Sequence, residues 1–286
     1  MKKFIVTNII LAAWCSQYVM AQQADHEFSV YFGPALSTLN YQLTKGSMSR
    51  GAGGDFGIGY TYYRGKERIS GTGRVIREDW GIHTGLEFGL YNASAKISGQ
   101  SDVTGKIDSE GDSFDLYTTL SAYEETQTAI LLKIPVMAQI AQNNYFLMAG
   151  FKLGIPLTDK FKASSTTLQN EAYYEEWDYW ARTQRFAGYG TFDNEASEGK
   201  IKLGTCVMLS LEVGAKWRLR RTLSLYTGFY FDYGLNNLTK KSEKEFVNFD
   251  YTDKVKPFST NSVLSVYTED VKMMACGIKI RVGLVK

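Results

Sequence analysis

The sequence predicts an all-β chain folded as an eight-stranded antiparallel up-and-down transmembrane β-barrel with long extracellular loops. Three observations lead there. Apolar and polar side chains alternate with period two through eight separate stretches. The connections between those stretches include tight turns and long polar linkers. Beyond the amino-terminal leader, no stretch approaches the ~20 apolar residues that a spanning helix needs. Period-two alternation gives each strand one apolar face and one small, polar or charged face. Two sheets could stack such apolar faces in a soluble sandwich, or a closed wall could turn them toward lipid. Composition favours the wall: 19 Tyr, 16 Phe and 27 Gly with only 4 Pro suit strands, turns and interfacial aromatic girdles.

The chain opens on Met1-Lys2-Lys3, an apolar stretch from Phe4 to Trp14, and Val19-Met20-Ala21 before Gln22. A basic start, an apolar middle and a small-residue cleavage site predict a Sec export signal over 1–21, leaving one domain, 22–286. Trp14 stands where a lipoprotein signal needs a small residue before Cys15, which argues against lipidation.

The first strand is expected from about Phe28 to Tyr41, with Phe28, Val30, Phe32 and Leu36 on one face. The second covers about Gly53 to Tyr63, where Phe56, Ile58, Tyr60 and Tyr62 alternate with Gly57, Gly59 and Thr61. The third starts at Trp80 and sets Ile82, Leu86, Phe88 and Leu90 against His83 and Glu87. The fourth, about Tyr123 to Ala141, places Ile130, Leu132, Ile134, Val136 and Ile140 opposite Lys133, Met137 and Gln139. Asn143-Asn144 is a tight-turn signal into the fifth, which runs to about Leu157 with Lys152 on its polar side. The sixth, about Lys200 to Leu219, turns at Arg220-Arg221 into the seventh, Thr222 to Leu235. The eighth, about Tyr267 to Val285, sets Ile278, Ile280, Val282 and Leu284 against Lys279 and Arg281.

Linkers near 95–122, 158–199 and 237–266 read as long polar loops, and 42–52 as an intermediate one. Barrels of this kind carry short periplasmic turns and long external loops, so the asymmetry places both termini in the periplasm. The Arg64 to Asp79 connection is too long for such a turn, so either the strands extend past the membrane there or the turn carries an elaboration.

Parity sends Glu87, Lys133, Lys152, Lys202, Glu212, Lys216, Arg218, Asp232, Lys279 and Arg281 to the interior. Eight strands leave room for little beyond side chains. These charges are therefore expected to pair as a structural network, with a narrow gated pore as the alternative. His83 and Glu87 share that face and could act as base and orienting carboxylate, but no serine is placed beside them, so the chain is expected not to be an enzyme.

Without the signal, thirty basic residues balance thirty acidic ones, which removes any electrostatic pull toward nucleic acid. Two remaining cysteines, Cys206 and Cys276, and two histidines in all, His26 and His83, leave little for a metal site; no cofactor is implied. The third outer loop is the best binding candidate. Its Tyr173, Tyr174, Trp177, Tyr179 and Trp180, mixed with Arg182 and Arg185, could hold an extracellular protein or glycan. The competing expectation is that strands five and six continue above the membrane as a ribbon whose aromatics pack on one another.

The stretches FSVYFGPALSTL, LLKIPVMAQIA with NNYFLMAGFKLGIPLTD, and LSLYTGFYFDYGLNNL resemble the outer-membrane protein A-like, porin-family (PorT-like) barrels of Bacteroidetes. The resemblance implies an outer-membrane barrel; PorT-like relatives serve protein secretion. The expected protein is a monomeric, non-enzymatic outer-membrane barrel surrounded by lipid. Its external loops would serve binding, adhesion or envelope structure, with a secretion-accessory role as an alternative.

Overall fold

Runs that alternate with period two fold as long strands, and most of this chain is strand. The computed structural model describes residues 24–43, 46–69, 75–239, 245–249, 258–268 and 270–286, so the expected export signal lies outside the described residues. Eight strands make up the wall: β1 (Ala24–Tyr41), β3 (Ala52–Ile69), β4 (Val75–Ile107), β5 (Ser113–Gln142), β6 (Tyr145–Tyr174), β9 (Cys206–Arg220), β10 (Leu223–Gly234) and β13 (Val271–Val285). Each pairs antiparallel with the wall strand before and after it in the chain, and β13 pairs with β1.

Shorter strands decorate one end. β2 (Ser47–Arg50) folds back on β4 within the 42–52 linker, while β7 (Tyr179–Ala181) and β8 (Gly190–Lys200) return along β6. β11 (Val247–Phe249) and β12 (Phe258–Thr260) pair with each other, followed by a single helical turn, α1 (Val263–Val266). The opposite end holds both chain ends of the wall and the tight turns. Asn143, with φ 56°, and Asn144 make one of these turns; Arg221 and Thr222 make another, one residue later than expected.

The two faces of the wall exchange polarity at one level. Along β4 the exposed side carries Trp80, Ile82, Leu86, Phe88 and Leu90 and then turns polar at Asn92, Ser94, Lys96 and Ser98. The buried side does the reverse: His83 and Glu87 give way to Tyr91, Ala93, Ala95 and Ile97. β6 repeats the pattern, with Leu147, Phe151, Leu153 and Leu157 exposed before Lys160 and Lys162, and Lys152 buried before Phe161 and Ala163. The exposed apolar side chains therefore form a belt. From Trp80 to Leu90 it spans roughly 25 Å, taking about 3.3 Å per residue and a strand tilt near 40°. Beyond the belt the buried side is an ordinary apolar core of Leu39, Ile97, Leu116, Phe161, Leu168 and Leu264.

This arrangement corrects two expectations and decides between the alternatives at two other places. The linker near 95–122 is not a loop, and within 158–199 the ribbon alternative holds, with β6 continuing and β8 pairing to it. β4 and β5 pair as far as Ile107 and Ser113, and β6 continues to Tyr174, so a ribbon of strands rises beyond the belt. Between Arg64 and Asp79 the first alternative holds: the strands extend, with residues 64–69 paired to 75–80 and Ile69 opposite Val75. Finally, residues 201–205 are irregular and Lys202, at φ 64°, is exposed rather than interior, because strand pairing on that side begins only at Cys206. Arg218 is half-exposed at the rim, 3.4 Å from Asp79.

One level of the ribbon carries a shared irregularity. Pairing lapses at Gly99 opposite Ser121 and at Thr166 opposite Asn194, while the register on either side is unchanged. Buried parity shifts by one on the strands crossing that level: β5 buries Leu116, Thr118 and Leu120 but then Tyr123, Glu125 and Gln127, and β6 buries Ala163 and Ser165 but then Leu168 and Asn170. Gly99 at φ 64° and Asn194 at φ 54° occupy the left-handed region, which glycine and asparagine tolerate. An extra residue per strand bends the ribbon without turning its apolar side to water.

Candidate functional site

Two places concentrate chemistry: the buried side of the belt, and the tip of the ribbon.

Within the belt, strand pairing brings carboxylates from β3, β4 and β10 to one point. The oxygens of Asp55, Glu87 and Asp232 lie within 4.8 Å of one another, close enough to ligate a cation. A lysine supplies it. Lys133 Nζ donates to Asp55 Oδ1 at 2.6 Å and Asp232 Oδ2 at 3.3 Å, and pairs with Glu87. Lys152 Nζ reaches Asp232 Oδ2 at 2.9 Å and Glu87 Oε1 at 3.1 Å. Lys279 joins Glu87 at 3.3 Å to Glu212 at 3.4 Å. Every member is buried, so the cluster depends on complete pairing. Gly89 makes room for it: a Cβ there would stand 2.8 Å from Lys133 Cε and 2.9 Å from a Tyr91 ring carbon.

Arg281 and Lys216 sit apart from that cluster, against rings. The Arg281 guanidinium lies 4.1 Å from the Tyr226 centroid and donates to Gln139 Oε1 at 3.2 Å; Lys216 Nζ is 4.9 Å from the Tyr63 centroid. Asp55 and Glu27, whose Oε2 accepts from the Tyr226 hydroxyl at 2.6 Å, were not singled out from the sequence. Parity held the signal for both: Asp55 shares a face with Gly57 and Gly59, and Glu27 lies opposite Phe28. His83 and Glu87 do not form a dyad. The His83 Nδ1 partner is Thr61 Oγ1 at 2.8 Å, and Ser210 donates to Asp232 at 2.6 Å.

At the tip of the ribbon, β6 separates the loop aromatics by parity. Tyr173 stacks on Trp180 with centroids 4.8 Å apart, Tyr117 joins them at 5.0 Å, and Arg182 lies over Trp180 while reaching Glu171 at 3.3 Å. This group packs on itself. Arg185 lies over Phe192. Tyr174, Trp177 and Tyr179 face the other way and line a cleft of about 720 Å³ with Phe186, Tyr189 and Gln184. Two tight 3-10 turns, Glu175–Trp177 and Arg185–Ala187, shape it, closed by Asp178 at φ 46° and Gly188 at φ 87°.

The remaining wall comes from the β4–β5 hairpin: Asp108, Ser109, Glu110 and Asp112. The sequence reading treated that hairpin as a separate loop, and only the pairing of Asp115 with Tyr173 carries it to the cleft. Asp108 organises the turn. Its Oδ1 accepts from the backbone N–H groups of Glu110, Gly111 and Asp112 at 2.9 to 3.0 Å, and Oδ2 accepts from the Tyr174 hydroxyl at 3.3 Å. Those donors, the Asp112 N–H first, hold its carboxyl below the usual carboxylate value. A depressed carboxyl contributes order above its unfolded value and loses it as pH falls through the folded one. Asp108→Ala is therefore expected to remove amide-exchange protection at Glu110 and Asp112, and strong acid to do the same to the wild-type turn, while Gly111 keeps its bond to the Asp108 carbonyl. Protection that survives the substitution at Glu110 and Asp112 would mean the turn is held by other bonds.

No family model matches the chain, and no curated protein matches it. Among solved structures, it is similar to Ail, the attachment invasion locus protein of Yersinia pestis, crystallised with the heparin analogue sucrose octasulfate. Identity is 10%, the TM-score 0.31, and the match covers 91% of this chain and 99% of that one. Neisserial surface protein A, NspA, is matched at 10% identity and a TM-score of 0.28, over 91% of this chain and 98% of that one.

Proposed function

We propose that this chain is a small, non-enzymatic outer-membrane protein: an eight-stranded up-and-down transmembrane barrel that lifts a ribbon above the outer surface and binds an external partner at the ribbon's tip. The exchange of polarity between the two faces carries the reading. An exposed belt of Phe28, Val30, Phe32, Phe56, Ile58, Leu86, Phe88, Phe151, Leu209, Phe229, Ile280 and Val282 has no reason to face water around a buried set of ion pairs. It is what acyl chains require of a wall whose strands each pair with a neighbour on both sides. Tyr62, Trp80, Tyr145 and Trp217, exposed near the tight-turn end, suit an interfacial girdle.

In this reading the tight turns and both termini are periplasmic, residues 1–21 are the cleaved export signal, and the protein is a monomer in lipid that binds no nucleic acid. The filled interior, with Lys133, Lys152, Tyr91, Tyr230 and Arg281 buried across it, supports a plugged barrel over a gated pore. The separate partners of His83 and Ser210 support a role without catalysis. The PorT-like resemblance leaves a secretion-accessory role as a second reading, which a stoichiometric partner recovered from membranes would favour.

Membrane fractionation with gel mobility before and after boiling tests the reading. The protein is expected in the outer-membrane fraction, migrating differently when unboiled, with trypsin on intact cells cutting at exposed Arg182 and Arg185. Recovery in the soluble periplasmic fraction would end it.

A further inference from the structure

The tip cleft is an unusual surface for a ribbon that otherwise covers its own rings. Tyr173, Tyr117 and Trp180 stack together, and Phe114 packs against Tyr174 and Tyr189 at 5.2 and 6.0 Å. Around the cleft, by contrast, Trp177, Tyr179 and Phe186 are 54%, 47% and 80% exposed. Large rings left in water at the mouth of a concavity mark a binding surface. The cavity volume falls inside the range of roughly 300–1,000 Å³ that organic ligands occupy and is far larger than a single ion needs.

Charge narrows the occupant. Three carboxylates, Asp108, Glu110 and Asp112, line one side, and among the described residues no lysine or arginine lines the cleft. Arg182 and Arg185, neighbours in sequence of the lining residues, are engaged elsewhere, Arg182 on Trp180 and Glu171, Arg185 on Phe192. Ring faces carry negative potential, so aromatic walls and carboxylates act in the same sense: both attract a cation and repel sulfate or phosphate. Phe186 extends the apolar surface past the mouth, beyond what a small amine would cover.

We propose that the cleft receives a basic peptide segment of an extracellular protein, with a lysine or arginine head among the aromatic walls and the acidic hairpin, and a neighbouring apolar residue on Phe186. The proposal rests on the reading that the ribbon lies outside the cell. It names a partner chemistry opposite to that of a sulfated glycan.

The test uses the full chain in detergent micelles and a fluorescein-labelled pentapeptide of alternating arginine and leucine, read by anisotropy. Controls replace arginine with citrulline, its neutral isostere, or with glutamate, and a sulfated oligosaccharide serves as a fourth probe. The basic peptide is expected to bind, with the citrulline peptide weaker by about tenfold or more and the glutamate peptide not binding. Glu110→Gln with Asp112→Asn, and separately Trp177→Ala, are each expected to weaken the basic peptide by about tenfold. Equal binding of the citrulline peptide, indifference to these substitutions, or preference for the sulfated probe would overturn the proposal. Gel mobility of the same sample separates the two claims. A heat-modifiable barrel that ignores the basic peptide refutes this inference alone, whereas peptide binding by a protein that does not enter membranes refutes the outer-membrane reading alone.

Discussion

Lys133→Met is expected to lower folding stability by about 3–5 kcal/mol, measured as a shift in the urea midpoint of the vesicle-inserted protein. Lys133 is the ammonium on which Asp55, Glu87 and Asp232 converge, and all four groups are buried. Methionine keeps the volume and removes the charge, leaving three carboxylates that Lys152 and Lys279 must hold alone. Asp55→Leu in the same background should recover part of the loss, because residues of one ion-pair network are not additive. Lys96→Met is the internal comparison. Its partner Glu124 is 2.5 Å away, but the two side chains are 59% and 62% exposed, so solvent screening reduces the expected cost to under about 1 kcal/mol. If Lys133→Met cost no more than Lys96→Met, the buried cluster would not be a determinant of the fold.

Leu86→Arg should cost about 2–4 kcal/mol in lipid vesicles, the penalty for a cation on the lipid face near the midplane. Leu86 lies midway up the belt and is 45% exposed on the protein surface. In water the same change would be worth within about 0.5 kcal/mol, as for most surface substitutions. Ser164→Arg, exposed beyond the belt, is expected to be nearly silent in either setting. Equal, small effects at both positions would mean the exposed apolar side chains do not meet acyl chains.

Much of the wall was legible because a single alternation frame runs through each belt segment. Phe28, Ile58, Leu86, Val136, Leu209 and Ile280 are exposed as parity requires, and Glu87, Lys133, Lys152, Glu212, Lys216, Asp232, Lys279 and Arg281 are buried. The ribbon was legible only as the competing expectation for strands five and six, and its β4–β5 part not at all, for two physical reasons. Beyond the belt the polarity of the faces is largely inverted, so an outward-apolar template meets polar residues such as Ser94, Lys96, Glu124 and Lys162. At Gly99, Ser121, Thr166 and Asn194 the frame itself slips, which to a period-two reading looks like the end of a strand. Lys202 was misplaced for the converse reason: the alternation continues through residues 201–205, which lie between β8 and β9 and are not strand. The acidic half of the cleft was hidden because nothing in the linear order of Asp108 and Tyr174, 66 residues apart, says that they share a hydroxyl bond.

The slip at Gly99, Ser121, Thr166 and Asn194 also limits how the gene for such a ribbon can change in length. Neighbouring strands skip their residue together, so loss of a codon from one of them forces a choice between two defects. Either its ladder with the next strand is thrown out of step, or its distal side chains rotate to the opposite surface. Only a coordinated loss from every strand crossing that level leaves both intact. The upper ribbon should therefore accept insertions at its turns while refusing single-residue deletions along its length.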